Sequence, residues 1–285
     1  MTVSDHLISA LDATVPGGVY LCQVNERVSC GACCGLYNVA DTSRDHMATM
    51  LGDRTRRFAQ VPRTPEGIDG FALRNAQIES QERPFPQFHH CPFIGLIGAE
   101  HSRVGCLLHP LADGNHGVDF RGLSYYGGLA CRTYFCPTTH GLAPRYKRIV
   151  RAALDDWHLY GLVVTETDLL SALLHQIEVR LGRRMEPTLF ESNPAAGQAL
   201  AGLMGLKLDW PHRPPQADTP CHHFFFDVSY TKPVIDYLSL GVAASPYNPI
   251  LRELVSAFDS VATLRRAEQA IDQKIGAVVA ALAIC

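Results

Sequence analysis

Between residues 146 and 181 the apolar positions recur every three or four residues, the spacing of one face of a helix. Tyr146, Ile149, Val150, Ala153, Leu154, Trp157 and Tyr160 make one stripe. Leu169, Leu170, Leu173, Leu174, Ile177 and Leu181 make a second, in a helix that Thr165 and Asp168 open. Leu264, Ala267, Ile271, Ile275 and Val278 predict a third near the end of the chain. Upstream of about Gly141 the pattern changes. Ser4 to Ala13 reads as a short helix with Leu7, Ile8 and Leu11 on one face, and Thr42, with Asp45 three residues later, predicts the cap of another that turns Met47, Met50 and Leu51 inward. Elsewhere between residues 20 and 140, prolines and glycines cut the chain into pieces too short for a clear period. Gly35–Val39, Phe71–Arg74 and Gly105–His109 are strand candidates there, and Cys221–Tyr230 is a fourth inside the helical part.

The pattern predicts an α+β chain with a soft boundary near Gly141. Residues 1–140 are expected to form an irregular cysteine-rich metal-binding domain with short strands, and residues 141–285 a mostly helical domain. The chain has 285 residues, 47% of them apolar, so an ordinary packed core is expected. A net charge of −3 gives no footprint for nucleic acid. Two short basic runs, Arg54 with Arg56 and Arg57, and Arg145 with Lys147, Arg148 and Arg151, read as solvated helix faces. Met1 to His6 shows no basic leader followed by an apolar run, and no segment has the apolar length of a membrane helix. A cytoplasmic protein without a membrane or nucleic-acid partner is therefore expected, its partner an unidentified protein or small molecule.

Cysteine changes the picture most. Eight of the ten cysteines fall between Cys22 and Cys136, and only Cys221 and Cys285 come later. Cys30, Cys33 and Cys34 crowd three ionisable sulfurs into five residues. In a reducing compartment such a run points to metal binding rather than to disulfides. The two-residue gap lets Cys30 and Cys33 reach one centre, whereas Cys34 leaves the backbone in another direction and addresses a different face or a second site. Gly31 and Gly35 supply backbone freedom inside and after the loop. Cys91, Cys106, Cys131 and Cys136 complete a candidate set of seven; Cys91 precedes Pro92, Gly105 precedes Cys106 and Pro137 follows Cys136. Seven thiols exceed the four of one tetrahedral zinc, which leaves two sites or one multi-iron cluster with additional thiols open.

The ordered series resembles the YkgJ-like cysteine-cluster family, the zinc- or iron-chelating CxxCxxCC domain. The counterparts run from Cys30–Cys34 through Asp45 and Cys91–Ile94 to Cys106–His109 and Cys131–Cys136, covering roughly residues 22 to 140. The resemblance implies that these cysteines hold a metal or cluster. Arg27 stands where the family has its first cysteine, Gly35 where a basic residue is common, and Gly127–Ala130 where an Arg-Pro pair usually stands. Cys22 is a possible replacement ligand, and Cys136 is an extra thiol. Arg132, after Cys131, matches a family Arg whose charge would offset a thiolate-rich site. The helical half is outside the resemblance.

An all-thiolate set with surplus sulfur leans towards an iron–sulfur cluster, of the four-iron type, with zinc as the alternative cofactor. His89, His90 and His109 sit beside these cysteines as donors or structural histidines, and Cys221, His222 and His223 read as structural. The expected protein is a cluster carrier of undefined redox or catalytic role. Its alternatives are a structural zinc module whose helical half recognises a partner, a thiol-based iron or oxidant sensor, and a cluster-dependent methyltransferase-like enzyme suggested by a distant resemblance to flagellin lysine methylases. No catalytic residue is assigned.

Overall fold

The computed structural model describes residues 8, 10–79, 83–86, 88–214 and 233–283. Their architecture is α+β, with helices dominant and one two-stranded antiparallel sheet among them. Ile8 and residues 10–12 are helical; the rest of the Ser4–Ala13 expectation, the Cys221–Tyr230 strand and Cys285 lie mostly or wholly outside the described residues.

Helix α1 (Arg44–Ala59) starts behind Ser43 rather than Thr42, because Asp41 accepts the Ser43 N–H at 2.8 Å and turns the chain there. Met47 and Leu51 are buried and Met50 is half-buried, as their spacing predicts. Helix α2 (Pro65–Ile78) is capped by Thr64, whose hydroxyl accepts the Gly67 N–H at 3.2 Å, and carries Pro65 in its first turn. It contains Phe71–Arg74, which is therefore helix and not strand. Ile68, Phe71 and Asn75 turn inward from it at helical spacing. The third strand candidate is partly realised: β1 (Ile94–Ile97) pairs with β2 (Arg103–Cys106), Ile94 opposite Cys106 and Ile97 opposite Arg103. The Thr55 hydroxyl of α1 locks onto this hairpin, accepting the Leu96 N–H and donating to the Leu96 carbonyl, both at 2.9 Å.

After α3 (Gly127–Thr133) and α4 (Thr138–Gly141), the helical part begins with α5 (Pro144–Ala153) and α6 (Trp157–Val163). The single apolar stripe over residues 146–160 is thus carried by two helices. Asp156 breaks it by capping α6, accepting the His158 N–H at 2.7 Å and the Leu159 N–H at 3.3 Å. Helix α7 (Thr167–Leu181) starts behind Glu166, not Thr165; the Glu166 carboxylate is engaged by Lys207 at 3.1 Å, with both side chains buried. Then come α8 (Thr188–Glu191), α9 (Pro194–Met204), α10 (Asn248–Glu253) and α11 (Val261–Ala283). Asn193 caps α9 through the Ala196 N–H at 3.1 Å and donates to the Ala281 carbonyl at 2.9 Å, tying α9 to α11. All five stripe residues of α11 are buried, and each fully buried Leu or Ile contributes on the order of 1.5–3 kcal/mol.

Packing crosses the residue-141 boundary. Val19, Leu21 and Val28 belong to the main helical core. Trp157 and Leu162 belong to a second core with Ala32, Leu36, Met47, Ile94 and Val104. The basic runs also divide: Arg54 and Lys147 are fully buried rather than solvated, because each has buried carbonyl oxygens to satisfy. Among the described residues no helix is long and apolar enough to cross a membrane.

Candidate metal centre

Cys22 and Cys30 are neighbours across a tight loop. The Cys30 N–H donates to the Cys22 carbonyl at 2.8 Å, Gln23 bridges Ser29, and the Asn25 side chain accepts the N–H groups of Arg27 and Val28, both at 2.8 Å. Arg27 is therefore at the exposed loop tip, 3.7 Å from Asp155, while Cys22 stands beside Cys30. Tyr160 of α6 fixes the preceding residue by donating its hydroxyl to the Leu21 carbonyl at 2.9 Å.

Cys33 and Cys34 lie on the 3-10 turn Ala32–Cys34, which Gly35 ends at φ 75°. At about three residues per turn, adjacent side chains on such a helix diverge by about 120°. Cys33 accordingly meets Cys136, to which its S–H donates a hydrogen bond, and lies within electrostatic reach of Cys30 and Cys22. Cys34 faces the other way, towards Cys91, Cys106 and Cys131. Its carbonyl accepts the Cys91 N–H at 2.8 Å. Gly31 has an ordinary φ of −115°, so its requirement is space rather than conformational freedom: an added Cβ would sit 2.4 Å from Ile94 Cδ1.

The hairpin and α1 hold the Cys91 side. Buried Arg54 donates to the carbonyls of Cys91 and Ile94, each at 3.2 Å, and pairs with Glu79. The His90 ring bridges the Gly35 carbonyl, 2.8 Å from Nδ1, and the Arg54 guanidinium. Burial, reinforced by Arg54, pushes the His90 imidazole well below its usual range, and both ring nitrogens are already engaged, one by the Gly35 carbonyl and the other by Arg54. Cys106 ends β2, and the Leu107 N–H continues the hairpin to the Phe93 carbonyl at 2.8 Å, which brings Cys91 and Cys106 to one end of the sheet. The Phe120 N–H donates to the Leu108 carbonyl at 3.1 Å, docking the segment that leads to α3 and to Cys131. Ser124 Oγ lies 3.2 Å from Cys131 Sγ.

Cys136 is placed by the turn that follows it. Thr138 and Thr139 donate hydrogen bonds to its sulfur along with Cys33, and together these hold the thiol below its ordinary range against the opposing effect of burial. Lys147 pins this turn to the N-terminal segment, donating to the Thr139 carbonyl at 2.8 Å and the Gly17 carbonyl at 2.7 Å. The other buried thiols shift upward. Burial pushes Cys22 and Cys106 up to about 12 and Cys91 up to about 11. Cys34 is raised well above its ordinary value by burial and neighbouring sulfurs, and Cys33 by the hydrogen bond to Cys136 followed by burial.

Arg132 does not face the sulfurs; it donates to the Gly128 carbonyl at 2.9 Å and pairs with Asp119 at 3.7 Å. Arg121, held by Asp119 at 2.8 Å, instead places its charge where it acts on Cys106. The sequence pattern assigns no role to Arg121 and places Arg54 and Lys147 on solvated faces, although an Asp two residues before Arg121 is a local signal for a fixed guanidinium. His89 stacks on Tyr125 at a centroid distance of 4.2 Å, and His109 Nδ1 accepts the Leu111 N–H at 3.1 Å. Cys221, His222 and His223 lie outside the described residues.

No disulfide joins the eight described cysteines. Among the described residues no three His, Cys, Asp or Glu side chains converge to hold one metal ion. A single zinc, with Zn–S bonds of about 2.3 Å, draws its sulfurs to about 3.8 Å from one another. A thiolate-bound cluster places its own iron and sulfide atoms between wider-set cysteines, so the donor number and softness fit such a cluster. Neither a family model, nor a curated protein, nor a solved structure matches this chain.

Proposed function

We propose that the chain is a metal-binding protein of the YkgJ-like type that carries an iron–sulfur cluster on its dispersed cysteines, in a reducing, cytoplasmic setting. One observation carries the reading: eight cysteines from separate segments are gathered around the Cys33–Cys34 turn, and none of them is in a disulfide. Clustered, buried thiols are a poor use of a core unless a cation compensates their ionisation. The residues around them act as a holder. Arg54 fixes the Cys91 backbone, Lys147 and Tyr160 fix the backbone beside Cys136 and Cys22, and Arg121 offsets negative charge at Cys106.

A bound iron–sulfur cluster supplies one-electron chemistry or an open iron position. The raised thiol values imply that loading releases protons, so metal uptake weakens in acid. The test is anaerobic purification of the full chain followed by measurement of iron, acid-labile sulfide and zinc per chain, with the visible spectrum before and after reduction. Iron and sulfide in equal amounts, with absorption that bleaches on reduction, support the proposal. A colourless protein with stoichiometric zinc replaces it by a structural zinc module, and absence of all three elements overturns metal binding itself.

A further inference from the structure

We infer that the eight cysteines form two separate four-thiol centres, Cys22, Cys30, Cys33 and Cys136 in one and Cys34, Cys91, Cys106 and Cys131 in the other, with the adjacent pair Cys33–Cys34 supplying one ligand to each. This deepens the proposed function and rests on it for the nature of the bound group.

The division follows from backbone geometry. The Cys30 N–H to Cys22 carbonyl bond makes those two neighbours in the first centre. Cys136 joins them through its hydrogen bond with Cys33, its turn being held against the Gly17 segment by Lys147. In the second centre the Cys91 N–H bonds the Cys34 carbonyl, and the hairpin register sets Cys106 beside the Cys91 end. Phe120 then docks on Leu108 and brings α3 with Cys131 alongside. The apolar surroundings divide in part the same way. Cys34, Cys91 and Cys106 share one small core with Phe58, Phe93 and Leu108, and Cys30 borders the main helical core, while Cys30 and Cys34 both border the second core. The sulfurs sense each other largely accordingly: Cys22 responds to Cys136, Cys106 to Cys91 and Cys131, and Cys34 to Cys91, Cys106 and Cys131 ahead of Cys30.

The two centres differ in access. Cys131 is exposed, and the residues around it, Tyr125, Tyr126 and Leu129, are exposed as well. The first centre lies against Tyr160 and Leu21, both buried. The second centre therefore has one ligand open to reagents at the surface, whereas the four cysteines of the first are all partly buried.

Two adjacent substitutions, Cys33→Ala and Cys34→Ala, provide the test, made in the full chain purified without oxygen. For two four-iron clusters the unsubstituted protein holds about eight irons and as many sulfides. Each variant is expected to retain about half, and the two residual electron paramagnetic resonance signals, recorded after one-electron reduction with dithionite, are expected to differ. Cys22→Ala and Cys136→Ala should reproduce the Cys33→Ala signal, and Cys91→Ala and Cys106→Ala that of Cys34→Ala. Equal metal loss with one common residual signal overturns the division, as does complete loss of metal on substitution within either set.

A second measurement uses the unsubstituted protein and so does not depend on a variant folding. Stepwise chelation with iodoacetamide labelling, read by mass spectrometry, should expose Cys34, Cys91, Cys106 and Cys131 as one block before the other four. Labelling of all eight together overturns the proposal. If zinc is found, about two per chain with one lost from each block, the two-centre division stands while the iron–sulfur reading falls. If no metal is present, both fall.

Discussion

The Cys33 thiol donates a hydrogen bond to Cys136, although its neighbour Cys34 faces Cys91, Cys106 and Cys131. One peptide unit therefore separates two thiols whose surroundings come from different parts of the chain. A displacement of the 3-10 turn that carries them disturbs both surroundings together. The residues that fix this turn are the sensitive ones.

Gly35 is the first of these. It holds φ 75°, and a Cβ there would lie 2.1 Å from the His89 carbonyl oxygen. Gly35→Ala combines left-handed strain with a backbone clash and should lower stability by at least about 2 kcal/mol. Bound metal should fall in both centres, because the displaced turn carries Cys33 as well as Cys34. Gly31→Ala meets only side-chain atoms, and Ile94→Val should recover part of its cost. Urea melts with metal analysis check both, and equal effects at the two glycines would contradict this account.

Arg54 holds the Cys91 segment from α1. Removing it leaves the carbonyls of Cys91 and Ile94 without their donor and Glu79 short of a buried partner, although Arg57 still reaches Glu79 at 3.3 Å. Arg54→Met should cost about 3 kcal/mol. Arg54→Lys should recover little, since an ammonium cannot span the same acceptors. Chemical denaturation of the metal-free chain measures this apart from ligand binding.

Asp12 and Arg151 join the N-terminal segment to α5 at 2.8 Å, and Asp12 also accepts the Tyr20 N–H at 2.7 Å. Burial tends to raise the Asp12 carboxyl, but Arg151 and the Tyr20 N–H outweigh it and hold the group below its ordinary value. A depressed folded-state value stabilises above the unfolded value of about 3.9, and the gain is lost as pH falls through the folded value. Asp12→Asn should therefore cost about 1 kcal/mol at pH 7, discounted for partial exposure. The difference from the parent should shrink as the pH falls below the ordinary carboxylate range. A gap in urea midpoint that persists in acid would assign the effect to something other than the charge.

Gly161 of α6 lies against Tyr37, whose Oη would be 1.6 Å from an added Cβ. This contact joins the helical half to the segment that follows Cys34. Gly161→Ala should destabilise by about 1–3 kcal/mol through overpacking, and Tyr37→Phe in the same chain should relieve part of that loss. A double-mutant cycle reports the coupling, with an expected magnitude of about 0.5 kcal/mol or more. Additive losses would mean that the clash is absorbed elsewhere.

The helical part was readable because its stripes repeat over many residues. Leu264 to Val278 are buried at the positions their spacing predicts. The break between α5 and α6 was hidden because apolar residues continue through it at helical spacing; Asp156, a capping residue type, was the signal passed over. Phe71–Arg74 shows the opposite failure. Four residues cannot separate a strand from a helix face, and Thr64 with Pro65 was the stronger evidence. At the candidate site the list of cysteines was legible, but their grouping was not. That Cys22 stands beside Cys30, and Cys136 beside Cys33, depends on a loop closure and on Lys147 bridging distant segments, neither of which has a local pattern. Buried Arg54 and Lys147 were concealed inside runs of charge that look solvated.

Val19, Leu21 and Val28 are early residues whose packing partners are late ones: Ile149 and Tyr160, and helices beyond them. A ribosome delivers these in order, so the segment bearing Cys22 and Cys30 emerges well before the surface that receives it. Until the helices arrive, its thiols have neither Tyr160 behind them nor Cys136 opposite. The earlier of these segments is thus among the later ones to settle, its thiols exposed through that interval.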